Sequence, residues 1–423
     1  MKKQTQADKN KPMHIGYPSP GWPLASFPNG IVTYVQNIRY GFESDQKPVV
    51  LAAPLVGVEL KNQLINLSKF SIQRSFLQRI TDGLIHRIKL PFSNAIRYKR
   101  VSEQNALKIH LGMEQLDAPL DILDMEESFG TAHFLMKISH VPIVTRLHGP
   151  WAVVGPILNM QDNWDFKLRV FYEGEAIKNA QGVTAPSFDV LNRVRAYYNL
   201  ELPNAAVIPN PVLEVRKENQ WRYDVNRKSF ILFVGRFDAV KGGDLVLQAF
   251  QHIAIINKEI ELMFVGPDRG IHLNGKVFMF NDYVKQFISE EHIKQRIQFL
   301  GLCNSEVIAE LRKNSLVTII CSRYEVFSIS LTEALSAGCP TVSTAVGGMK
   351  EIVKHNFNGF LAEPESPKSI AKNVLALMEN PEKMQILSNN AIEDCKKRFS
   401  PNVVAAQTVE YYQSVLARTH ANV

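Results

Sequence analysis

The run Leu316-Val317-Thr318-Ile319-Ile320 packs five apolar or β-branched residues together. A run this short and apolar reads as a strand buried on both faces. A polar turn holding Glu325 follows it. Ser328 or Ser330 can then cap a helix through Leu331, Ala334 and Leu335, which stops at Gly338. Pro340 comes next, and Thr341-Val342-Ser343-Thr344 reads as a second strand. Strand, loop, helix, strand is α/β architecture with a parallel sheet.

In such a unit the helix N-terminus faces the crevice at the strand's carboxyl end. The backbone N–H groups of Phe327, Ser328, Ile329 and Ser330 would there donate to a phosphate. Glu325 stands just before the helix and Glu333 inside it. Carboxylates beside an anion site repel phosphate, so these two should serve neutral groups, the hydroxyls of a sugar or a ribose. Spacing alone fits two surface glutamates on an ordinary helix equally well.

A related unit opens the second half of the chain. Residues 229–234 read as a buried strand, followed by Gly235-Arg236-Phe237-Asp238-Ala239-Val240-Lys241-Gly242-Gly243 and a helix over 244–257. Arg236 offers planar paired donors and Lys241 a mobile point charge, a combination suited to a diphosphate. A turn with exposed cations is the other reading. Strands over 260–265 and 296–300 lead into Gly266-Pro267 and Gly301-Leu302, and helices are expected over 366–379, 381–398 and 402–418.

The first half alternates in the same way. A strand over 13–17 enters a Pro/Gly-rich loop that ends at Asn29-Gly30, and a helix follows over 31–38. Strands are expected over 47–53, 121–126, 141–147, 183–185 and 205–208, and helices over 128–139, 166–180 and 187–198. Residues 54–106 give no clear pattern. His148 lies at the carboxyl end of the 141–147 strand, where α/β sites form; a structural role for a lone histidine stays open. Residues 155–165 read as a mobile acceptor-side loop, residues 1–12 as a disordered tail, and the charged stretch 209–228 as a linker.

At 423 residues the chain can hold two domains of about 200 residues each. A net charge of +7 favours anionic partners such as nucleotide diphosphates or acidic lipid surfaces. Basic residues are scattered with no arginine block among aromatics, so no nucleic acid is expected. The four cysteines, Cys303, Cys321, Cys339 and Cys395, lack metal-ligand spacing and read as packing residues in a reduced compartment. No apolar run approaches the ~20 residues that span a bilayer, and residues 1–11 are polar. The expected location is therefore cytoplasmic. Residues 72–89 form a basic amphipathic pattern, open either to a peripheral contact with the inner membrane face or to a surface helix packed on the core. No Gly-x-Gly-x-x-Gly follows any expected strand, which argues against a dinucleotide oxidoreductase.

Glu325-x7-Glu333, continued by Ala334-Leu335-Ser336-Ala337-Gly338-Cys339-Pro340, resembles the signature of glycosyltransferase family four. The likeness runs on through residues 346–353 and Asn358-Gly359-Phe360-Leu361. These are retaining enzymes of the GT-B class, α/β proteins in which two Rossmann-like domains face a cleft. The resemblance implies an acceptor-binding domain over 13–208, with 400–423 packing back on it, and a nucleotide-sugar domain over 229–399. It gives Gly235, Arg236 and Lys241 the leaving diphosphate, together with the helix N-terminus at Ser328–Ser330. Glu333 would hold the ribose, and Glu325 and His148 would orient the donor sugar. Gly30 would belong to the first domain's ligand loop, and Gly266 and Leu302 to the nucleotide pocket. Ser328 and Asn29 stand where relatives usually carry glycine, Pro211 stands where they have the last residue of Pro-Asn-Gly, and Gly266-Pro267-Asp268 replaces Gly-Asp-Gly.

The expected reaction moves a hexose-type sugar, with retention, from a nucleotide-diphosphate sugar to a saccharide or lipid-linked acceptor. A UDP-sugar is favoured, GDP-mannose comes next, and the setting is surface polysaccharide or glycoconjugate synthesis. The chain holds no Asp-x-Asp triplet, so neither a metal nor another cofactor is expected, the protein's own cations replacing the metal clamp. The alternatives are an epimerase or phosphorylase on the same fold, or a catalytically silent nucleotide-sugar-binding subunit.

Overall fold

The structure is a computed structural model that describes residues 12–43, 46–57, 59, 63–72, 93–158, 160, 163–224 and 229–421. These divide into two compact units. The first extends to Pro211 and takes in the chain again from Pro401; the second is Val212–Ser400.

The first unit is built on seven strands: β1 (Ile15–Ser19), β2 (Val49–Ala52), β3 (Leu64–Asn66), β4 (Ile122–Glu126), β5 (Ile143–Arg146), β6 (Gly182–Ala185) and β7 (Ala206–Val207). They are parallel and lie in the order β3-β2-β1-β4-β5-β6-β7. Both faces are covered, which is why these strands read as unbroken apolar runs. Ile15, Tyr17, Ile122 and Val144 pack with Val35, Ile38 and the returning helix Pro401–Ala421. Leu51, Leu123, Met125 and Ile143 pack on the other face with Ile109, Phe134 and Ala176. The strand order reverses between β1 and β4, so the crevice at their carboxyl ends is this unit's natural ligand position.

The second unit contains β8 (Phe230–Val234), β9 (Glu261–Val265), β10 (Ile271–Leu273), β11 (Lys276–Phe278), β12 (Ile297–Gly301), β13 (Val317–Ile320), β14 (Thr341–Thr344) and β15 (Phe360–Ala362). Six of them form a parallel sheet in the order β12-β9-β8-β13-β14-β15, with its switch point between β8 and β13. β10 and β11 form an antiparallel hairpin turned at Asn274-Gly275, both in the left-handed region. The sequence reading has no counterpart for it, because strands of three residues carry too little periodicity.

Several expectations are revised. Within the stretch read as a linker, Val212 and Trp221 are buried in the second unit, and the indole N–H of Trp221 donates to the Ser315 carbonyl at 2.6 Å. Its many charged neighbours mask these two anchors in the sequence. Residues 155–157 belong to a helix, Trp151–Ile157, and residues 164–165 begin another, Trp164–Asn179, so the span read as a loop is helical at both ends. The helix expected over 128–139 is a short 3-10 turn and Thr131–Leu135, separated where Phe129 takes φ 58°. The amphipathic pattern over 72–89 lies, but for its first residue, outside the described residues. Among the described residues no helix is long and apolar enough to cross a membrane.

Candidate active site

The loops after β8 and β13 flank the switch point of the second unit, and side chains lock them together. Lys241 Nζ lies 2.5 Å from Glu325 Oε1, and Ser322 Oγ donates to the same oxygen at 2.9 Å. Asp238 organises the β8 loop: its Oδ1 accepts from the Lys241 N–H at 2.7 Å and its Oδ2 from Arg236 Nε at 2.5 Å. Arg323 ties the two loops from below through paired bonds to Asp244, both at 2.8 Å. Those bonds, with Glu365 beside it, raise the guanidinium's pKa still further. The Glu325 carbonyl accepts from the Gly348 N–H at 2.9 Å, which joins the loop after β14 to the same assembly.

The loops on the other side interlock through the backbone. The Gly235 N–H donates to the Val265 carbonyl at 2.9 Å and the Gly266 N–H to the Gly301 carbonyl at 2.8 Å. Gly266 takes φ +142°, and a Cβ there would meet the Gly235 carbonyl oxygen at 2.0 Å. Gly235, Gly266 and the Gly301-Leu302 step thus share one edge of the crevice, with Leu302 79% exposed.

The helix Ile329–Ser336 starts beside this assembly. Ser328 holds its cap position in extended backbone, φ −88°, and its side chain makes no capping bond. Ser330 lies within the first turn. Neither serine is the side-chain cap expected. The extended φ also means that serine, standing where glycine is usual, needs none of glycine's freedom. Phe327 is buried against Leu331, Leu335 and Phe399, which fixes the direction of the helix. Its first-turn N–H groups have no intrahelical acceptors. Glu333 is turned toward the helix before β13, its Oε2 accepting from Arg312 Nη2 at 2.6 Å.

His148 and Gly30 belong to the first unit. Asn29 caps the helix Gly30–Arg39, its Oδ1 accepting from the Ile31 and Val32 N–H groups at 3.0 Å each. Asparagine therefore does at this position what a glycine could not. Tyr34 of that helix meets the His148 ring edge-on at 5.1 Å, and the Arg146 guanidinium lies over Tyr34 at 4.1 Å. Burial, then the charge of Arg146, holds the His148 imidazole well below its ordinary pKa.

Sequence reasoning missed the residues that hold the site together: Asp238, Ser322, Arg323 and Asp244 in the second unit, Glu127, Glu173 and Arg146 in the first. Asp238 was legible in principle, standing three residues before Lys241 in a turn that an aspartate stabilises. Ser322 lies only three residues before Glu325, but a serine in a polar turn carries no distinguishing signal. The others meet their partners across tens of residues and leave no local pattern. Among the described residues no cluster of metal-ligating side chains is present.

The second unit brings Arg236, Lys241 and Glu325 together at the β8/β13 switch point beside the N-terminus of the Ile329–Ser336 helix, while Glu333, on that helix, is held by Arg312. Cations and a helix N-terminus suit an anionic leaving group, and a carboxylate suits hydroxyls. Comparison with known proteins agrees with this chemistry. The model described as "Glycosyltransferase Family 4" matches residues 28–213, and "Glycosyl transferases group 1" matches residues 215–394. An uncharacterized glycosyltransferase of Methanocaldococcus jannaschii is 30% identical over 348 residues, covering 76% of this chain and 84% of the relative. Among solved structures, sucrose-phosphate synthase from Thermosynechococcus elongatus superposes with a TM-score of 0.71 at 16% identity, over 96% of this chain and 100% of its own. The Anabaena protein HepE, solved with UDP, does so with a TM-score of 0.63 at 16% identity, over 95% and 100%. The fold is thus that of the GT-B enzymes, two Rossmann-like α/β units, and the chain belongs to the family 4 glycosyltransferases.

Proposed function

We propose that the protein is a retaining hexosyltransferase that takes its sugar from a nucleoside-diphosphate donor, with a UDP-sugar favoured over GDP-mannose. It passes the sugar to a saccharide or lipid-linked acceptor in surface polysaccharide or glycoconjugate synthesis. The observation that carries this reading is the Lys241–Glu325 pair at the β8/β13 switch point, with Arg236 and the helix N-terminus at Ile329 beside it. HepE, a structural neighbour, has been solved with UDP and with UDP-glucose, which supports the choice of base. In this reading Lys241, Arg236 and the first-turn N–H groups take up charge as the diphosphate leaves. Glu325 faces the sugar, Glu333 takes the ribose hydroxyls with Arg312 holding its carboxylate, and His148 orients the donor sugar. Gly235, Gly266 and Leu302 border the nucleotide.

The test is a thermal-shift panel of UDP-, GDP- and ADP-sugars, followed by NMR of the product's anomeric configuration. Stabilisation should be largest for UDP-sugars, since a ligand that binds only the folded state raises the melting point with its affinity. Failure of every nucleotide sugar to shift the transition would overturn the reading. Conversion of the donor sugar without an acceptor would point to an epimerase instead.

Two expected outcomes follow from the residues. Activity should survive excess EDTA, because the side chains around the crevice supply cations and lack an Asp-x-Asp clamp; loss of turnover restored by magnesium would show that a metal takes part. His148→Ala should lower turnover by about tenfold or more while leaving nucleoside-diphosphate affinity nearly unchanged, because an imidazole that orients the sugar acts on the reacting geometry. A tenfold loss of nucleotide affinity in that variant would assign the ring to the nucleotide.

A further inference from the structure

We propose that Glu127 and Glu173 are positioning residues, two buried carboxylates that fix the backbone of the His148–Trp151 loop and so set the orientation of the His148 ring for transfer. The inference rests on the role given to His148 above. Both carboxylates belong to residues with no exposed surface. Glu127 follows β4 directly, and the register of β4 and β5 pairs Glu126 with Arg146. That brings Glu127 beside the chain as it leaves β5. Its Oε2 accepts from the His148 N–H at 2.8 Å and its Oε1 from the Gly149 N–H at 2.8 Å. Glu173, on the helix Trp164–Asn179, accepts from the Trp151 N–H at 2.6 Å through Oε2 and from the Phe129 N–H at 3.2 Å through Oε1. Proline has no N–H, so every backbone donor from His148 to Trp151 ends on a buried carboxylate.

Burying carboxylates in this way is costly unless their oxygens are well satisfied. One cation is supplied close by: Arg169 Nε donates to Glu173 Oε1 at 2.8 Å, and its guanidinium lies over the rings of Trp151 and Phe129 at 3.9 and 4.1 Å. Glu127 has two N–H donors instead. A carboxylate only accepts, so both of its oxygens can face donors; an amide would turn an NH2 group toward one of them. The loop is thereby held in one register, and its histidine with it.

This geometry ties the loop to a proton. Burial, then the neighbouring Glu173, pushes the Glu127 carboxyl up to about 8, with the His148 and Gly149 N–H groups working the other way. The ionisable groups around it are Glu173 and Arg169 on the Trp164–Asn179 helix, Tyr198 at the end of the Phe188–Tyr198 helix, and the preceding Glu126 at the end of β4, which burial pushes up to about 7. The phenol of Tyr198 is pushed up by burial first and then by Glu173. The His148 imidazole, held low by burial, is already neutral in this range. Protonation would place an O–H on one of the two oxygens that accept from the His148 and Gly149 N–H groups and so weaken that bond. Ionisation therefore seats the loop, and turnover should rise as pH passes through about 8. Stability has the opposite sign. A carboxyl whose folded pKa is raised gives stability that is fully present below its ordinary range and is lost as pH climbs through the raised value. Rising turnover with a falling melting temperature is a signature that a merely structural role would not give.

The experiment compares wild type, Glu127→Gln and His148→Ala in steady-state kinetics and melting from about pH 6 to 9, the window that brackets the raised carboxyl. Above about pH 8, where wild-type Glu127 is ionised, Glu127→Gln should lose about tenfold in turnover, the effect of one misplaced hydrogen bond, with the donor KM within about twofold of wild type. Toward about pH 6 the two should converge, and the variant's profile should lack the step near 8. Wild-type turnover with the step intact would overturn the inference, as would a flat wild-type profile. Should Glu127→Gln fail to fold, Glu173→Gln and the wild-type profile decide the matter. Removing the Glu173 charge, which helps to raise Glu127, should move the step to lower pH, and an unmoved step or a flat wild-type profile would overturn the inference. A fully active His148→Ala would remove the reading beneath the inference. An impaired His148→Ala beside an unaffected Glu127→Gln would sink the inference alone.

Discussion

Lys241→Ala is expected to lower kcat/KM by about a hundredfold or more, equivalent to about 2.7 kcal/mol of transition-state stabilisation, with the protein still folded at the assay temperature. A hydrogen bond to a charged group contributes about 1.5–3 kcal/mol. Negative charge on the diphosphate grows as the glycosidic bond breaks, so a contact to it should strengthen in the transition state. A second effect adds to the first. Lys241 Nζ is 2.5 Å from Glu325 Oε1, and the Glu325 side chain is only 13% exposed. Without the lysine that carboxylate keeps Ser322 Oγ at 2.9 Å and, among the described residues, no cation as a hydrogen-bond partner, and it would repel the incoming diphosphate.

The two effects separate in a double variant. Lys241→Ala with Glu325→Gln removes the repulsion but not the missing contact, so nucleoside-diphosphate affinity should recover only in part. Lys241→Arg should also recover part, since the guanidinium is wider than the ammonium and meets the diphosphate differently. All three variants should fold, with Lys241→Ala melting below wild type because it strands the 13%-exposed Glu325 carboxylate, and with the double variant and Lys241→Arg regaining part of that loss. Near-wild-type kcat/KM in a well-folded Lys241→Ala protein would take the lysine out of the site.

How much of this was legible in the sequence depended on whether a feature was local. The 229–234 and 316–320 runs became β8 and β13 almost to the residue, because strands buried on both faces must be apolar throughout. The last helix, Pro401–Ala421, was legible as a helix over 402–418, but its return to the first unit was expected only through the resemblance. What fixes it, the Tyr411 hydroxyl bonded to the Val183 carbonyl at 3.0 Å and to the Asn204 carbonyl at 2.8 Å, spans more than two hundred residues. The pairing of Lys241 with Glu325 was hidden for the same reason. Each residue was picked out as a single ligand, and only the adjacency of β8 and β13 makes them neighbours. Glu127 and Glu173 gave no signal at all, since a glutamate after a strand or on a helix is ordinarily solvated.

Gly242→Ala should be among the most damaging single substitutions in the second unit, lowering its stability by about 4 kcal/mol or more, in the range reserved for named core defects. Gly242 precedes the helix Gly243–Ile256 with φ +74°, where any other L-residue pays about 1–2 kcal/mol. The larger cost is contact. A Cβ at this position would stand 2.0 Å from the Cys321 carbonyl oxygen and 3.0 Å from its Sγ. The oxygen is backbone at the end of β13, a strand paired on both sides by β8 and β14, so it cannot step aside. One or both loops must move, and the β8 loop carries Lys241 as the adjacent residue. Nucleoside-diphosphate binding should therefore be lost together with stability. Gly275→Ala supplies the control. Gly275 has nearly the same φ, +76°, in the β10–β11 turn, with nothing within 4 Å of the added Cβ. It should pay the backbone cost alone and bind nucleotide as wild type does. Denaturant melts of the two variants measure the difference directly. If Gly242→Ala unfolds no more easily than Gly275→Ala, the loops after β8 and β13 are not in the close contact that brings Lys241 to Glu325.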